Sequence, residues 1–182
     1  MKKPLLNILI RFTDQAALTA LLAQIQKQSY KAVSVLVSFT DIADIPFLEE
    51  CENASEIPFK RVKVTTRTHV RGKQQTAPTN FFINRMLDFV QDGFVTIIDD
   101  DKKLTDRFSL SRIMKDLSEG TARVYPIYDR VEIVDAGVCF HITDLHGLRF
   151  DGQKGAGNRF IDSLKGQDVL IDTTEQDLVQ DA

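Results

Sequence analysis

The chain has only two cysteines, Cys51 and Cys139, among its 182 residues. Two are too few for a disulfide framework or a cysteine-based zinc centre. They fit small buried hydrophobes in a reducing compartment. An excess of positive charge is also missing. Lys and Arg number 23 against 26 Asp and Glu, a formal net charge of −3. That counts against nucleic acid as a partner, because duplex affinity usually rests on a basic surface. Long apolar runs are absent too. The run from Leu5 to Ile10 is broken by Asn7 and closed by Arg11, far short of the roughly 20 residues a membrane helix needs. Met1-Lys2-Lys3 before it looks like the start of a signal peptide, but no small-residue cleavage site follows at once. We expect a buried first strand there, a soluble chain and no transmembrane segment. No P-loop is present and no G-x-G-x-x-G follows a strand, which counts against a kinase or a dehydrogenase. No Ser-His-Asp or Cys-His nucleophile arrangement is legible either.

What is present is a chain 43% hydrophobic and 27% charged. That composition excludes an obligately disordered chain, and the length suits one domain, residues 1–182. Leu5 to Arg11 predicts a strand. Thr13 or Asp14 offers an N-cap for a helix over Gln15 to Lys27, where Leu18, Leu21, Leu22 and Ile25 fall at i, i+3, i+4 and i+7. Val33 to Phe39 predicts a second strand. Strand, helix, strand favours a right-handed βαβ unit and a parallel sheet covered by helices on both faces.

Further elements are expected in order. They are a short helix after Pro46, a strand over Phe59 to Thr65, a basic loop over Thr66 to Thr79, and a helix over Asn80 to Gln91 closed by Gly93. Then come a strand over Phe94 to Ile98, a helix through Leu110 to Leu117, and strands over Ala122 to Tyr125, stopped by Pro126, and Val131 to Ile142. A glycine-bearing loop from Phe150 to Asn158, a short helix carrying Phe160, Ile161 and Leu164, and a frayed acidic tail from Thr173 complete the reading.

The sharpest feature is Val95-Thr96-Ile97-Ile98-Asp99-Asp100-Asp101. Three consecutive carboxylates repel one another unless a cation offsets the cost. Ligands of open α/β sheets bind beyond the carboxyl ends of the strands, and carboxylates there suit a hard divalent ion such as Mg²⁺ or Mn²⁺. On an extended segment Asp99 and Asp101 point to one side and Asp100 points away, towards a ribose or a structural donor. A solvated Asp-rich turn is the competing reading.

A second feature is the basic stretch Lys60, Arg61, Lys63, Arg67, Arg71 and Lys73. Cations beside a carboxylate-bound metal would neutralise a diphosphate as it departs. Arg71-Gly72 is the expected contact, since glycine permits close backbone approach. A solvated basic loop is again the alternative. His141 and His146, with Asp144 between, offer a further candidate metal ligand, against the commoner reading of a hydrogen-bonded core or surface histidine.

The order of these pieces resembles a known family. Arg11-Phe12-Thr13-Asp14 closes the first strand and Ser38-Phe39-Thr40-Asp41 the second. Asn80-Phe81-Phe82-Ile83-Asn84 opens the helix before the strand that runs into Asp99-Asp100-Asp101-Lys102-Lys103-Leu104. That set resembles the GT-A fold glycosyltransferases, closest to family 2, over Pro4 to Leu117 and loosely over Ala156 to Leu164.

The resemblance implies a Rossmann-like nucleotide-diphospho-sugar transferase fold, with a mixed, mostly parallel sheet. Residues 1–117 would form the nucleotide and metal half, and 118–182 the acceptor side. It implies a hexosyltransferase-type enzyme of polysaccharide or glycan synthesis. Such an enzyme is metal-dependent and inverting, and lies in the cytoplasm or peripherally at the inner membrane surface. The donor would be a nucleoside diphosphate sugar, with a UDP-sugar favoured, and the acceptor a saccharide or lipid-linked hydroxyl.

By the same resemblance Asp99 and Asp101 hold the metal. Arg11, Phe12, Thr13 and Asp41 belong to the nucleotide site, and the charge and strand-geometry arguments above add Arg71 and Asp100 to it. The family's acidic general base would sit where this chain has Asn158, which cannot act as a base, so Asp151 is the candidate. The second turn carries the single Asp41 where the family often has an acidic pair. Tryptophan is absent, so Phe150 or Tyr128 would supply an acceptor platform. Two other readings stay open: a non-catalytic nucleotide-sugar or partner-binding module on this fold, and a nucleotidyltransferase. The last normally carries a glycine-rich loop after the first strand, and Arg11-Phe12-Thr13-Asp14 has none.

Overall fold

A computed structural model describes residues 3–65, 67–70, 73–76, 79–129, 132–150 and 156–182; for 67–70, 73–76, 79–80, 128–129, 132–135 and 156–157 only the backbone is described. In chain order the elements are β1 (Leu6–Arg11), α1 (Gln15–Gln26), β2 (Val33–Phe39), α2 (Ile45–Ala54), β3 (Phe59–Lys63), β4 (Arg67–Val70), β5 (Lys73–Thr76), α3 (Thr79–Leu87), β6 (Phe94–Ile97), β7 (Lys102–Leu104), α4 (Ser109–Ile113), β8 (Thr121–Asp129), β9 (Glu132–His141), α5 (Ala156–Lys165), β10 (Leu170–Thr173) and β11 (Val179–Asp181). Short 3-10 turns at Ile42–Asp44 and Ile142–Leu145 complete them.

One sheet runs in the order β3-β2-β1-β6-β9-β8-β11-β7, with β10 also on β8. Five of its eight pairings are parallel (β1 with β2 and β6, β2 with β3, β8 with β10 and β11), so the sheet is mixed and mostly parallel. β1 is buried along nearly its whole length because it has covered faces on both sides. Ile8 and Ile10 face α1, with Leu18, Leu21 and Ile25, in one apolar cluster, to which Leu48 of α2 and Leu110 and Ile113 of α4 also belong. Leu9 faces the other cluster, with Phe82 and Met86 of α3 and Phe160 and Leu164 of α5. The alternation along one strand therefore assigns helices to both faces, as expected from its period of two.

Among the described residues, Gly93 and Gly137 sit where an added Cβ would clash. Gly93 has φ +88°, and a Cβ there would lie 2.5 Å from the Leu5 carbonyl oxygen, which accepts the Phe94 N–H that starts β6 beside β1. Gly137 lies against the Tyr125 ring, where a Cβ would come within 2.1 Å of a ring carbon. That close approach buries Tyr125 completely, with its hydroxyl 2.7 Å from Thr96 Oγ1.

Four expectations need correction. The basic stretch expected as a loop holds an antiparallel hairpin, β4 with β5. β-branched Thr68, Val70 and Thr76 suit it. Pro126 does not stop its strand. β8 pairs with β10 as far as Val124 and with β11 from Ile127, so Pro126 falls where neither neighbour pairs on that side and no ladder bond is lost there. Lys102–Leu104, expected to be part of a connection, is a strand. The tail is not frayed: Leu178 and Val179 are fully buried and β11 fills the gap between β7 and β8.

Candidate active site

β1, β2 and β6 are parallel and in register, so their carboxyl ends open on one edge of the sheet. The turns Arg11–Asp14 and Ser38–Asp41 and the triplet Asp99–Asp101 therefore meet at that edge. This is the crevice in which open α/β sheets bind ligands.

The three carboxylates have three different environments. Asp99 Oδ1 accepts the Arg11 N–H at 3.2 Å, and the Arg11 guanidinium lies 3.4 Å from Oδ2. Burial pushes the Asp99 carboxyl above its ordinary value. Arg11 opposes the shift through its charge and its N–H, while Asp101 and Asp100 add to it. Asp100 is 1% exposed. It accepts the Thr13 N–H at 2.5 Å, the Thr13 hydroxyl at 2.7 Å and the Asp14 N–H at 2.9 Å. Both of its oxygens thus hold the turn that starts α1, and the structural donors are found where a ribose was the other option. Asp14 then caps α1 by accepting the Ala17 N–H.

Asp101 is the open member, with a side chain 57% exposed. Its Oδ2 lies 3.1 Å from Lys102 Nζ, which also lies 2.7 Å from Asp181 Oδ1 on β11. Burial alone would lower the Lys102 ammonium. Its hydrogen bonds to Asp181 and Asp101 outweigh that and hold it above the ordinary lysine value. The Ala182 N–H is donated to the Asp101 carbonyl, so the loop's backbone is fixed from the same side. The repulsion within the triplet is therefore relieved by two cations of the chain itself, Arg11 and Lys102. Sequence reasoning missed Lys102 and Asp181, because their meeting depends on a strand pairing between Leu104 and Val179 that no local signal announces.

The other expected residues are placed as follows. The Phe12 ring stacks on Phe47 of α2, with centroids 5.8 Å apart and planes at 27°. Asp41 accepts the Ala43 N–H at 2.9 Å and caps the 3-10 turn after β2. Arg71 and Asp151 lie outside the described residues. The basic stretch is divided. Arg61 pairs with Glu49 and Glu52 of α2 at 2.8 and 2.9 Å, and Lys60 Nζ lies 4.4 Å from the centre of the Phe89 ring. His141 sits opposite Phe94, at the start of β6 and so at the far end from the triplet. Its Nδ1 lies 2.7 Å from Thr143 Oγ1 and its ring meets Phe94 edge-on. It offers no ligand to Asp99.

Asn84 of α3 brackets the backbone of Phe150, at the start of the segment expected to face the acceptor. Its amide donates to the Phe150 carbonyl at 2.7 Å, and its carbonyl accepts the Phe150 N–H at 2.9 Å. The Phe150 ring stacks on Phe160 with centroids 3.9 Å apart and planes at 11°. Phe150 is buried, so it serves that stack and not an exposed platform. Asn158 is exposed on α5.

The donor set suits a hard divalent ion. Asp99 and Asp101 present carboxylate oxygens only, and Mg²⁺ or Mn²⁺ is commonly held by one or two protein carboxylates plus substrate phosphates. Among the described residues no group of three or more His, Cys, Asp or Glu side chains is placed to hold a metal without such help. A polar cleft of about 510 Å³ lies between α4 and residues 172–176. Arg112, Lys115 and Arg123 line it, and it contains none of the triplet.

No protein-family model matches the chain, and no curated protein sequence matches it. Solved structures do. The mannosyltransferase PcManGT from Pyrobaculum calidifontis, in complex with GDP-Man and Mn²⁺, superposes with a TM-score of 0.75 at 16% identity, over 100% of this chain and 57% of that one. S. aureus TarS 1–349 in complex with UDP-GlcNAc gives 0.72 at 10% identity, over 97% and 58%. A putative glucose-1-phosphate thymidylyltransferase from Bacillus anthracis gives 0.58 at 10% identity, over 98% and 89%. The chain thus spans about three-fifths of the first two. At these identities the likeness shows the fold, and that fold is GT-A: a curled, mostly parallel sheet with helices on both faces.

Proposed function

We propose that the chain is a glycosyltransferase of hexosyltransferase type, moving a sugar from a nucleoside diphosphate sugar to a hydroxyl acceptor. The observation that carries this reading is the junction at the sheet's edge. The Arg11–Asp14 turn and the acid triplet, remote in sequence, are tied there by Arg11–Asp99 and by the Asp100 clamp. GDP-Man with Mn²⁺ in PcManGT and UDP-GlcNAc in TarS supply the donor class.

In this reading Asp99 and Asp101 hold Mn²⁺ or Mg²⁺. A bound divalent ion supplies Lewis-acid stabilisation of the departing diphosphate. Arg11, Phe12, Thr13 and Asp41 line the nucleotide side. Arg71 shares the diphosphate charge. Asp100 acts one step back, by fixing the turn on which Thr13 sits. Asp151 takes the proton of the acceptor hydroxyl in an in-line, inverting attack, and the Asn84 bracket on Phe150 fixes the chain immediately before it. A UDP-sugar donor and a saccharide or lipid-linked acceptor, in polysaccharide or glycan synthesis, complete the proposal. Among the described residues no helix is long and apolar enough to cross a membrane.

Calorimetric titration of UDP and GDP in the presence of Mn²⁺ tests it. Binding that Asp101→Ala abolishes is the expected result. Failure of every nucleoside diphosphate to bind with metal present would sink the reading. Two rivals have their own observations. Asn158 stands where the family's base is expected, which favours a non-catalytic binding module; binding without transfer would select it. The thymidylyltransferase likeness favours nucleotidyl transfer. Pyrophosphate release from a nucleoside triphosphate and a sugar 1-phosphate would select that one.

A further inference from the structure

Lys102 stands between two carboxylates, and its shorter contact is to Asp181 on β11, not to Asp101. The three groups differ in freedom. The Lys102 side chain is 20% exposed, Asp181 35% and Asp101 57%. The ammonium and Asp181 are thus held within a strand pairing, while Asp101 reaches solvent. An ammonium 3.1 Å from Asp101 Oδ2 and a metal ion on Asp101 compete for that oxygen, and two cations a few ångströms apart repel.

We infer that Lys102 and Asp181 form a counter-ion relay that sets how readily Asp101 takes a divalent cation. Lys102 occupies Asp101 Oδ2. It must leave that carboxylate before Asp101 can ligate, and Asp181 is the partner that retains it. Lys102 and Asp181 are positioning residues, acting through Asp101. The inference rests on Asp101 being a metal ligand, as proposed above.

The relay assigns opposite effects to the two members of one ion pair. Without the ammonium, Asp101 is uncovered. Without Asp181, the ammonium has Asp101 as its remaining carboxylate. An ion pair that only holds β11 in place would move both variants in the same direction. Mn²⁺ is titrated into the full chain, alone and with UDP, and free Mn²⁺ is read by electron paramagnetic resonance. Lys102→Met should tighten Mn²⁺ by roughly two- to fivefold, the scale of one partly exposed ion pair. Asp181→Asn should weaken it by a similar factor, and Lys102→Arg should restore the wild-type value. In an Asp101→Ala background, Lys102→Met should change nothing. Wild-type binding with both single variants unchanged, or shifted the same way, overturns the relay and leaves the proposed function standing. No Mn²⁺ binding by the wild type, with or without UDP, overturns the relay and the metal assignment together.

Discussion

Asp100 and Asp101 are neighbours with the same side chain and opposite situations. Asp100 is 1% exposed and accepts three hydrogen bonds from the Thr13–Asp14 turn. Asp101 has a side chain 57% exposed and a single ion pair. A buried carboxylate must be fully hydrogen-bonded to be tolerated, and once it is, it belongs to the scaffold. A carboxylate left in solvent costs the fold little and keeps its oxygens available. The triplet therefore contains one member that builds the Thr13–Asp14 turn and one left open to solvent. The extended segment expected for the triplet is not found: the Lys102 N–H closes a turn on the Asp99 carbonyl at 3.0 Å, and that turn sets Asp100 and Asp101 in different directions.

That contrast can be broken at either residue. Asp101→Ala is expected to weaken Mn²⁺-dependent nucleoside diphosphate binding by more than about 100-fold, since even outer-shell changes at metal sites cost roughly 10- to 100-fold; titration calorimetry reads it. Asp100→Ala should show in stability first. Two backbone N–H groups and a hydroxyl lose a charged acceptor, a loss of about 3–4 kcal/mol, and thermal melting should fall by roughly 10 °C for a chain of this size. Thr13→Val sharpens the comparison by removing the hydroxyl bond alone, with an expected cost of about 1 kcal/mol in denaturant unfolding. Asp101→Asn should leave stability within about 0.5 kcal/mol of wild type, as exposed ion pairs usually do. A large loss there would mean that Asp101 also belongs to the scaffold.

How legible all this was depended on whether an element carries its own signal. α1 announces itself through Leu18, Leu21, Leu22 and Ile25, and these are the buried residues of the helix. β1 and β2 are short apolar runs closed by polar turns, and they pair in parallel as expected. The position of Asp99–Asp101 at a strand end follows from Phe94–Ile98 alone. Lys102-Lys103-Leu104 and Val179-Gln180-Asp181 carry no such signal. Neither announces a strand; β7 forms on β11, and β11 forms between β7 and β8. Pro126 misled for the same reason, since its cost depends on which neighbour pairs at that point. The second half of the chain was read less well because more of its structure is decided by distant partners.

The seating of β11 between β7 and β8 has a consequence for the order in which the molecule comes together. The acid loop is bounded on one side by β1 and on the other by a strand far later in the sequence, Val179–Asp181. Contacts this far apart in sequence close late and slowly. A chain emerging from the ribosome can pack α1 and α3 on β1, β2 and β6 long before the Asp101 side of the loop has its neighbour. The core would then be formed while the loop was still unshaped. The final shape of the acid loop would be acquired after β1, β2 and β6 had packed.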